Sequence, residues 1–136
     1  MTHPLIQRLH DEFQYPEVTL ENHEAFLNQE GFSVLFFTGD PSRYRETADV
    51  AVILPEIVAI TEGNLHPAVV ARDDEIELQK HYGFRRWPAL VFLRDGGYLG
   101  AICKVRDWSD YVTEIGELMV AETTRPPGFK IAVVAE

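Results

Sequence analysis

Three short apolar runs, separated by segments with helical spacing, constrain most strongly what this chain can fold into. The runs are residues 33–37 (SVLFF), 68–71 (AVVA) and 89–93 (ALVFL). Unbroken apolar runs of this length are typical of strands buried on both faces of a sheet. A long helix is expected between the first two runs, at about residues 45–60, with Pro55 kinking it. The first two strands are therefore predicted to be parallel, in a right-handed βαβ unit.

The other segments complete a mixed sheet. A hairpin turn is predicted at residues 95–97 (DGG), so that the third run pairs antiparallel with a strand at 98–105. A short strand is expected at 17–20. Further helices are expected near the N-terminus, with Leu5, Ile6, Leu9 and Phe13 on one face, and at residues 21–30, 74–82 and 107–121. The resulting fold class is α/β, a central mixed β-sheet flanked by helices on both faces.

Two of these helices carry more detailed predictions. Asp74 and Glu77 have the spacing of a capping box at the start of the helix at 74–82, and Gly83 should end it. In the helix at 107–121, capped by Asp107, the side chains predicted to face inward are Trp108, Val112, Ile115, Leu118 and Met119.

Composition excludes several classes of protein. The chain has 136 residues, 46% of them hydrophobic, which fits one domain with a real core. Its 22 acidic and 12 basic side chains give a net charge of −10, which argues against nucleic-acid binding and favours a basic partner. No run reaches the roughly eighteen apolar residues of a membrane helix. The N-terminus does not resemble a secretory signal. A cytoplasmic protein without membrane insertion is expected.

Few side chains have the spacing that catalysis or metal binding requires. None of the five histidines has a companion at metal-ligand spacing, and no phosphate loop or nucleophile elbow is present. The acidic run 73–75 (DDE) is interpreted as the start of a helix, where carboxylates complement the helix dipole. No metal and no cofactor are therefore expected.

Residues 82–90, Tyr-Gly-Phe-Arg-Arg-Trp-Pro-Ala-Leu, are similar to the thioredoxin segment that contains a cis proline. Phe36-Phe37, the proline-containing stretch 52–58 and the hairpin entry 92–96 resemble the same family. The resemblance implies a thioredoxin-like domain at residues 17–121, between a helical segment at 1–16 and a tail at 122–136. It also implies a cis Trp87-Pro88 bond. The tail has strand character at 129–134, and it is expected to be disordered or to dock as an added strand on an exposed sheet edge of its own or of a neighbouring molecule.

Residues 44–47 (YRET) stand where thioredoxins carry Cys-x-x-Cys. Thiol–disulfide exchange needs a thiolate of low pKa and a resolving thiol, whereas Cys103 is the only cysteine. No reductase or isomerase activity is therefore expected. Cys103 is predicted to be a buried apolar residue away from the loop. Enzymatic use of its lone thiol is the remaining catalytic alternative.

The loop 39–43 (GDPSR), the stretch 84–92 (FRRWPALVF) and the hairpin 96–100 (GGYLG) resemble hydrogenase-maturation proteins of the HyaE/HoxO (HupG) type. The resemblance implies a cytoplasmic, non-enzymatic chaperone. Its partner would be the small subunit precursor of a [NiFe] hydrogenase, bound through the twin-arginine signal peptide, together with other hydrogenase assembly proteins. The alternative is a thioredoxin-like scaffold with another partner.

A twin-arginine signal peptide has a basic head and an apolar middle, and the sequence offers a complement to each. Carboxylates around the loop and helix that replace the redox motif are predicted to steer the head. The segment ending on the cis proline is predicted to take the apolar part. Alternatively, the acids only solvate a helix face and Trp87 fills the space of the missing cysteines. The predicted peptide-binding residues are Asp40, Glu46, Asp49, Glu56, Arg86, Trp87 and Pro88.

Overall fold

A computed structural model describes residues 3–129, which form a five-stranded sheet covered by helices. The strands are β1 (Glu17–Val18), β2 (Phe32–Phe37), β3 (Leu65–Val70), β4 (Ala89–Arg94) and β5 (Gly97–Cys103). Their order across the sheet is β1-β3-β2-β4-β5. β3 is parallel to both β1 and β2, whereas β4 is antiparallel to β2 and to β5. The predicted mixed sheet is confirmed.

Five α-helices cover both faces of the sheet. They are α1 (Pro4–Asp11), α2 (His23–Leu27), α3 (Glu46–Ile60), α4 (Glu75–Tyr82) and α5 (Trp108–Val120). Side chains of α1, α3 and α5 pack in one apolar core, and those of α2 and α4 pack in the other. The long helix with Pro55 inside it lies where the sequence predicted it.

Strand β2 joins the two cores because its side chains alternate between the faces of the sheet. Val34 and Phe36 pack in the core that contains Leu54 of α3. Leu35 and Phe37 point to the opposite face, into the core of α4. All are buried, and each contributes about 1.5–3 kcal/mol relative to an exposed position. The carboxyl end of this well-packed strand therefore presents the following loop from a rigid base.

The first of two helix predictions that the structure corrects concerns the amino ends of α2 and α4. α2 is shorter than predicted because Thr19 and Asn22 exchange side-chain-to-backbone hydrogen bonds of 2.7 and 3.2 Å, which hold a turn before it. The predicted capping box at Asp74 is absent from α4, because its carboxylate accepts a hydrogen bond of 3.0 Å from the backbone N–H of Leu20 instead. Gly83 ends α4 as predicted, in a left-handed conformation.

The second correction concerns which face of α5 is buried. Trp108 and Val112 were predicted to face inward, but each remains 44% exposed. Tyr111 is buried instead. Ile115 is buried as predicted, and Leu118 and Met119 pack against the core as predicted. The Tyr111 hydroxyl accepts a hydrogen bond from the backbone N–H of Arg106 at 3.2 Å, so the ring can face the core while its hydroxyl is bonded. Counting only apolar residues at helical spacing therefore found the second half of the buried face and missed the tyrosine in its first half.

The chain after α5 folds back over the domain. Thr124 forms an isolated antiparallel bridge with Tyr98 of β5. A short 3₁₀ turn at Pro127–Phe129 packs against the end of α4. The predicted strand at 129–134 lies outside the described residues except for Phe129. The division of the chain at residues 16 and 121 stays a prediction.

Candidate functional site

Aromatic side chains pack together around residues 44–47, the stretch expected from the sequence to replace the cysteine pair of thioredoxins. Tyr44 stacks on Trp87, with ring centroids 6.2 Å apart and planes inclined by 23°. Phe37 and Phe84 meet Trp87 edge-on, at centroid distances of 6.2 and 5.1 Å. The bond from Trp87 to Pro88 is cis, as predicted. Trp87 thus fills space between the loop and the sheet, and its half-buried ring keeps some exposed surface.

Gly39 allows this stack to form. Its φ is +68°, and a Cβ at this position would lie 2.7 Å from Cδ2 of Tyr44 and 3.3 Å from Cε3 of Trp87. The first distance is shorter than real Cβ contacts. Only glycine therefore fits both the backbone conformation and the space under the two rings.

A buried carboxylate anchors the same loop from below. Oε2 of Glu75 accepts hydrogen bonds from the backbone N–H of Gly39 (3.1 Å) and from Oγ1 of Thr38 (3.3 Å). Its Oε1 pairs with Arg72 at 2.6 Å. Burial raises the pKa of Glu75 above its usual range, although these donors act in the opposite direction. The hydroxyl of Thr47, on α3, donates to the Thr38 carbonyl and ties the loop to the helix.

The loop and the cis-proline segment enclose an open cleft of about 580 Å³. We call it the basic cleft, because its lining contains five cationic side chains and a single carboxylate. Tyr44 and Trp87 supply its aromatic wall. The full lining is Arg43, Tyr44, Arg45, Glu46, Arg85, Arg86, Trp87 and Lys104.

The carboxylate in the basic cleft, Glu46, is already bonded within the protein. Its Oε1 accepts a hydrogen bond of 2.7 Å from the backbone N–H of Val105, and its Oε2 lies 3.3 Å from Nζ of Lys104. These contacts, the backbone bond first, lower the pKa of Glu46. The side chain therefore fastens the start of α3 to the chain that follows β5.

The other predicted site residues lie in three places. The Asp40 carboxylate, half-exposed in the loop, accepts hydrogen bonds from the hydroxyl (2.7 Å) and the N–H (3.0 Å) of Ser42, which lower its pKa. Asp49 and Glu56 are exposed along α3, outside the lining of the cleft. Pro88 is buried. The structure thus brings Glu46, Arg86 and Trp87 together in one cleft and leaves the remaining carboxylates around it.

Sequence reasoning missed most of the charge in this site. Arg43, Arg45, Arg85 and Lys104 line the cleft, yet none was predicted as a site residue. The available signal was the recurrence of arginines at 43, 45, 85 and 86 in segments that the thioredoxin likeness already placed side by side. Glu75 had no such signal, because its partner Gly39 is 36 positions away.

Cys103 lies nearer to this site than the sequence predicted. It is half-buried and lines a small recess together with Glu46 and Arg86. Burial raises the pKa of its thiol, with the backbone N–H of Arg86 acting in the opposite direction. A thiol with a raised pKa is mostly protonated near neutral pH, which makes it a poor nucleophile. Within residues 3–129, no three His, Cys, Asp or Glu side chains form a group that could hold a metal ion.

The comparisons with known proteins decide the family. Residues 5–111 match the family model described as "Hydrogenase-1 expression protein HyaE". This chain belongs to the HyaE family. This family member is 45% identical over 127 residues to the hydrogenase expression/formation protein HoxO of Azotobacter vinelandii, covering 93% of this chain and 85% of that protein. It is 46% identical over 101 residues to HupG of Bradyrhizobium diazoefficiens, covering 74% and 66% of the two chains.

Solved structures agree with the HyaE-family assignment and with the fold. The crystal structure of the hydrogenase expression/formation protein hupG from Rhodopseudomonas palustris matches with a TM-score of 0.55 and 35% identity, covering 76% of this chain and 94% of that one. Mitochondrial thioredoxin 3 of Saccharomyces cerevisiae matches with a TM-score of 0.64, covering 77% and 96%. At 13% identity that match shows the fold alone. The predicted family and the predicted thioredoxin-like fold are confirmed. No helix in the described part of this HyaE-family chain is long and apolar enough to cross a membrane.

Proposed function

We propose that this HyaE-family protein is a cytoplasmic, redox-inactive chaperone of [NiFe] hydrogenase maturation that binds the twin-arginine signal peptide of the small subunit precursor. Its relatives HoxO and HupG are named as hydrogenase expression/formation proteins, which supports a role in hydrogenase maturation. The exposed face of α3 carries the finer proposal, because that face combines negative charge with apolar surface.

On this face of α3, two carboxylates alternate with two large apolar side chains. Asp49 and Glu56 are exposed, and Val52 and Ile60 remain 46% and 49% exposed. Successive members of the set are three or four positions apart, so they lie along one side of the helix. The carboxylates stand about 10 Å apart along the axis, a distance that about three residues of extended peptide span. A peptide with a basic head and an apolar middle therefore matches the face in charge and hydrophobicity.

The contacts of the other predicted residues give them different parts in this proposal. Asp40 adds negative charge near the amino end of α3, where it steers the arginine head. Glu46 and Pro88 position the backbone, since one is bonded within the protein and the other is buried. The cations of the basic cleft repel the arginine head and direct it toward Asp49 and Glu56.

Neutralising the α3 carboxylates should weaken signal-peptide binding. With each exposed ion pair contributing about 0.5 kcal/mol, Asp49→Asn/Glu56→Gln should bind a synthetic twin-arginine peptide about fivefold more weakly at low salt. The difference should shrink at high salt, because exposed charges are screened. Fluorescence anisotropy of a labelled peptide, titrated at two ionic strengths, measures both effects.

The matched control is Asp107→Asn/Glu117→Gln. It also removes one aspartate charge and one glutamate charge from exposed positions, but Asp107 lies just before α5 and Glu117 lies within that helix. It should bind within twofold of the wild type, allowing for roughly 0.4 kcal/mol of general charge effect. Equal losses in the two double variants would show that net charge, and not the face of α3, determines binding.

A pull-down separates this function from that of a scaffold with another partner. The small subunit precursor should be retained with its signal peptide and lost without it. Retention of both forms would place the contact on the folded subunit, and retention of neither would favour a different partner.

The chain should not catalyse thiol–disulfide exchange. Reduction of insulin disulfides in a dithiothreitol-coupled turbidity assay should stay at the background rate, because the sequence holds a single cysteine and burial raises the pKa of its thiol. Cys103→Ser serves as the control and should behave identically. Activity in the wild type that disappears in this variant would establish lone-thiol chemistry and overturn the prediction.

A further inference from the structure

The basic cleft concentrates positive charge on a protein whose net charge is −10. Five of its 12 basic side chains line this one cleft. All five are exposed, although a strongly acidic chain offers many carboxylates with which to neutralise them. The basic cleft is therefore an exception to the acidic character of the rest of the protein.

Most of these cations form no ion pair with a carboxylate of the described residues, although the pKa of Asp40 is lowered by the hydrogen bonds from Ser42 and, to a smaller extent, by nearby Arg43. None of the ion pairs within residues 3–129 includes Arg43, Arg45, Arg85 or Arg86. Only Lys104 is paired, with Glu46 at 3.3 Å. The Arg43 guanidinium lies 5.4 Å from the centroid of the Tyr44 ring, a contact that leaves its charge in place. The guanidinium groups thus keep their capacity to bind an external anion.

The helix dipole at the amino end of α3 also places partial positive charge beside the cleft, and the first-turn carboxylates Glu46 and Asp49 offset part of it. Arg45 is the N-cap residue of this helix, and its side chain makes no capping hydrogen bond. Cations at a helix amino end are unfavourable, because the helix dipole places partial positive charge there. An arginine where Ser, Thr, Asp or Asn would stabilise the helix is a local conflict of the kind that marks a functional position. A bound anion would remove this conflict.

We propose that the basic cleft binds an extended, carboxylate-rich segment of a partner protein. Arginine side chains bind carboxylates through paired, charge-assisted hydrogen bonds, and arginines from two segments line the cleft, Arg43 and Arg45 from the loop and Arg85 and Arg86 from the stretch before Pro88. A cleft of about 580 Å³ has room for a short segment of this kind.

Nucleic acid fits the same cleft less well. Single strands bind through bases stacked on free aromatic faces, whereas Tyr44 and Trp87 are stacked on each other. A long polyanion would also be repelled by a protein of net charge −10. A short acidic peptide avoids both obstacles.

This inference goes beyond the proposed function, in which the cations of the basic cleft bind nothing and only repel the arginine head. The signal peptide is basic and is assigned to the exposed face of α3, while the acidic segment is assigned to the basic cleft. Either proposal can fail while the other stands, because each has its own probe and its own variants.

The test is a titration with a defined acidic peptide. The probe is a capped octapeptide of alternating Glu and Gly, and the matched peptide has Gln in place of Glu. Binding is followed by Trp87 fluorescence in a Trp108→Phe background and by isothermal calorimetry. The cleft variant is Arg85→Gln/Arg86→Gln, and the control is Arg8→Gln/Lys80→Gln, two cations that lie outside the lining of the cleft. Far-ultraviolet circular dichroism verifies that all variants fold.

The Glu peptide should bind, the Gln peptide should not, and raising the salt concentration should weaken binding. The cleft variant should raise the Kd about tenfold, while the control should change it less than twofold. The proposal is overturned if the Glu peptide does not bind, if the Gln peptide binds equally well, or if both double variants weaken binding alike. Binding of an oligothymidine octamer without binding of the Glu peptide would assign the cleft to phosphodiesters and would also overturn it.

Discussion

Gly39→Ala should lower the free energy of unfolding by about 2–5 kcal/mol. A left-handed backbone costs a non-glycine residue roughly 1–2 kcal/mol, and overpacking adds about 1–3 kcal/mol. The overpacking arises because the new Cβ would lie 2.7 Å from Tyr44 and would have to push its ring off Trp87. Urea denaturation measures the loss, and Trp87 fluorescence in a Trp108→Phe background should report the disturbed stack.

Gly63→Ala is the matched control. Gly63 also has a positive φ, +85°, but a Cβ there would meet no heavy atom within 4 Å. This variant should therefore lose only the roughly 1–2 kcal/mol of the backbone term. If both variants lose the same stability, the contact between the loop and the two rings is looser than the structure shows.

Glu75→Ala should lower the free energy of unfolding by about 2–4 kcal/mol. It leaves the buried N–H of Gly39 without its acceptor, which costs about 1–3 kcal/mol, and it opens a cavity under the loop. Glu77→Ala is the control. Glu77 is exposed, and its ion pair with Lys80 is long, at 3.9 Å. This variant should therefore lose no more than about 0.5 kcal/mol of stability. Equal effects would mean that Glu75 does not anchor the loop.

The pH dependence of Glu75→Gln gives an independent measurement on the same side chain. The pKa of Glu75 is raised in the folded protein, so the folded state binds its proton more tightly than the unfolded state does. Its contribution to stability is therefore complete below the ordinary glutamate pKa of about 4.3 and is lost as the pH rises through the raised value. Glutamine resembles the protonated form at every pH. Glu75→Gln should gain stability relative to the wild type as the pH rises from 4 to 7, and a constant difference would contradict the raised pKa.

The fold could be predicted from the sequence because its strands carry local signals. The apolar runs at 33–37 and 89–93 lie within β2 and β4, whereas the run at 68–71 overlaps only the second half of β3, which begins at Leu65 and ends at Val70. The hairpin turn also followed from adjacent residues. These features depend on neighbours within a few positions, where residue type and spacing are informative. The cis Trp87-Pro88 bond was expected instead from the resemblance of residues 82–90 to the thioredoxin segment.

The candidate site was harder to predict because it depends on distant pairs. The peptide-binding prediction assumed that Glu46 offers a free carboxylate, yet Val105 and Lys104, nearly 60 positions away, bond to it. Glu75 was interpreted as a helix-start acid, and only the folded chain brings Gly39 onto it. The pairing of arginines from two segments across one cleft likewise appears only when the loop meets the start of β4. Residue types gave the chemistry available, whereas the fold decided which groups remain open to a partner.

The two edges of the sheet affect how the protein behaves at high concentration. One edge is β1, which is only two residues long, and the other is β5, which Thr124 bridges at Tyr98. Unpaired strand edges are the templates on which molecules stack into aggregates. The proposed binding of apolar segments of other chains would carry a high risk of such stacking. The short β1 at one edge and the bridge from Thr124 to β5 at the other leave few unpaired backbone groups for another molecule to bind. The exposed apolar side chains of α3 stay available to a partner.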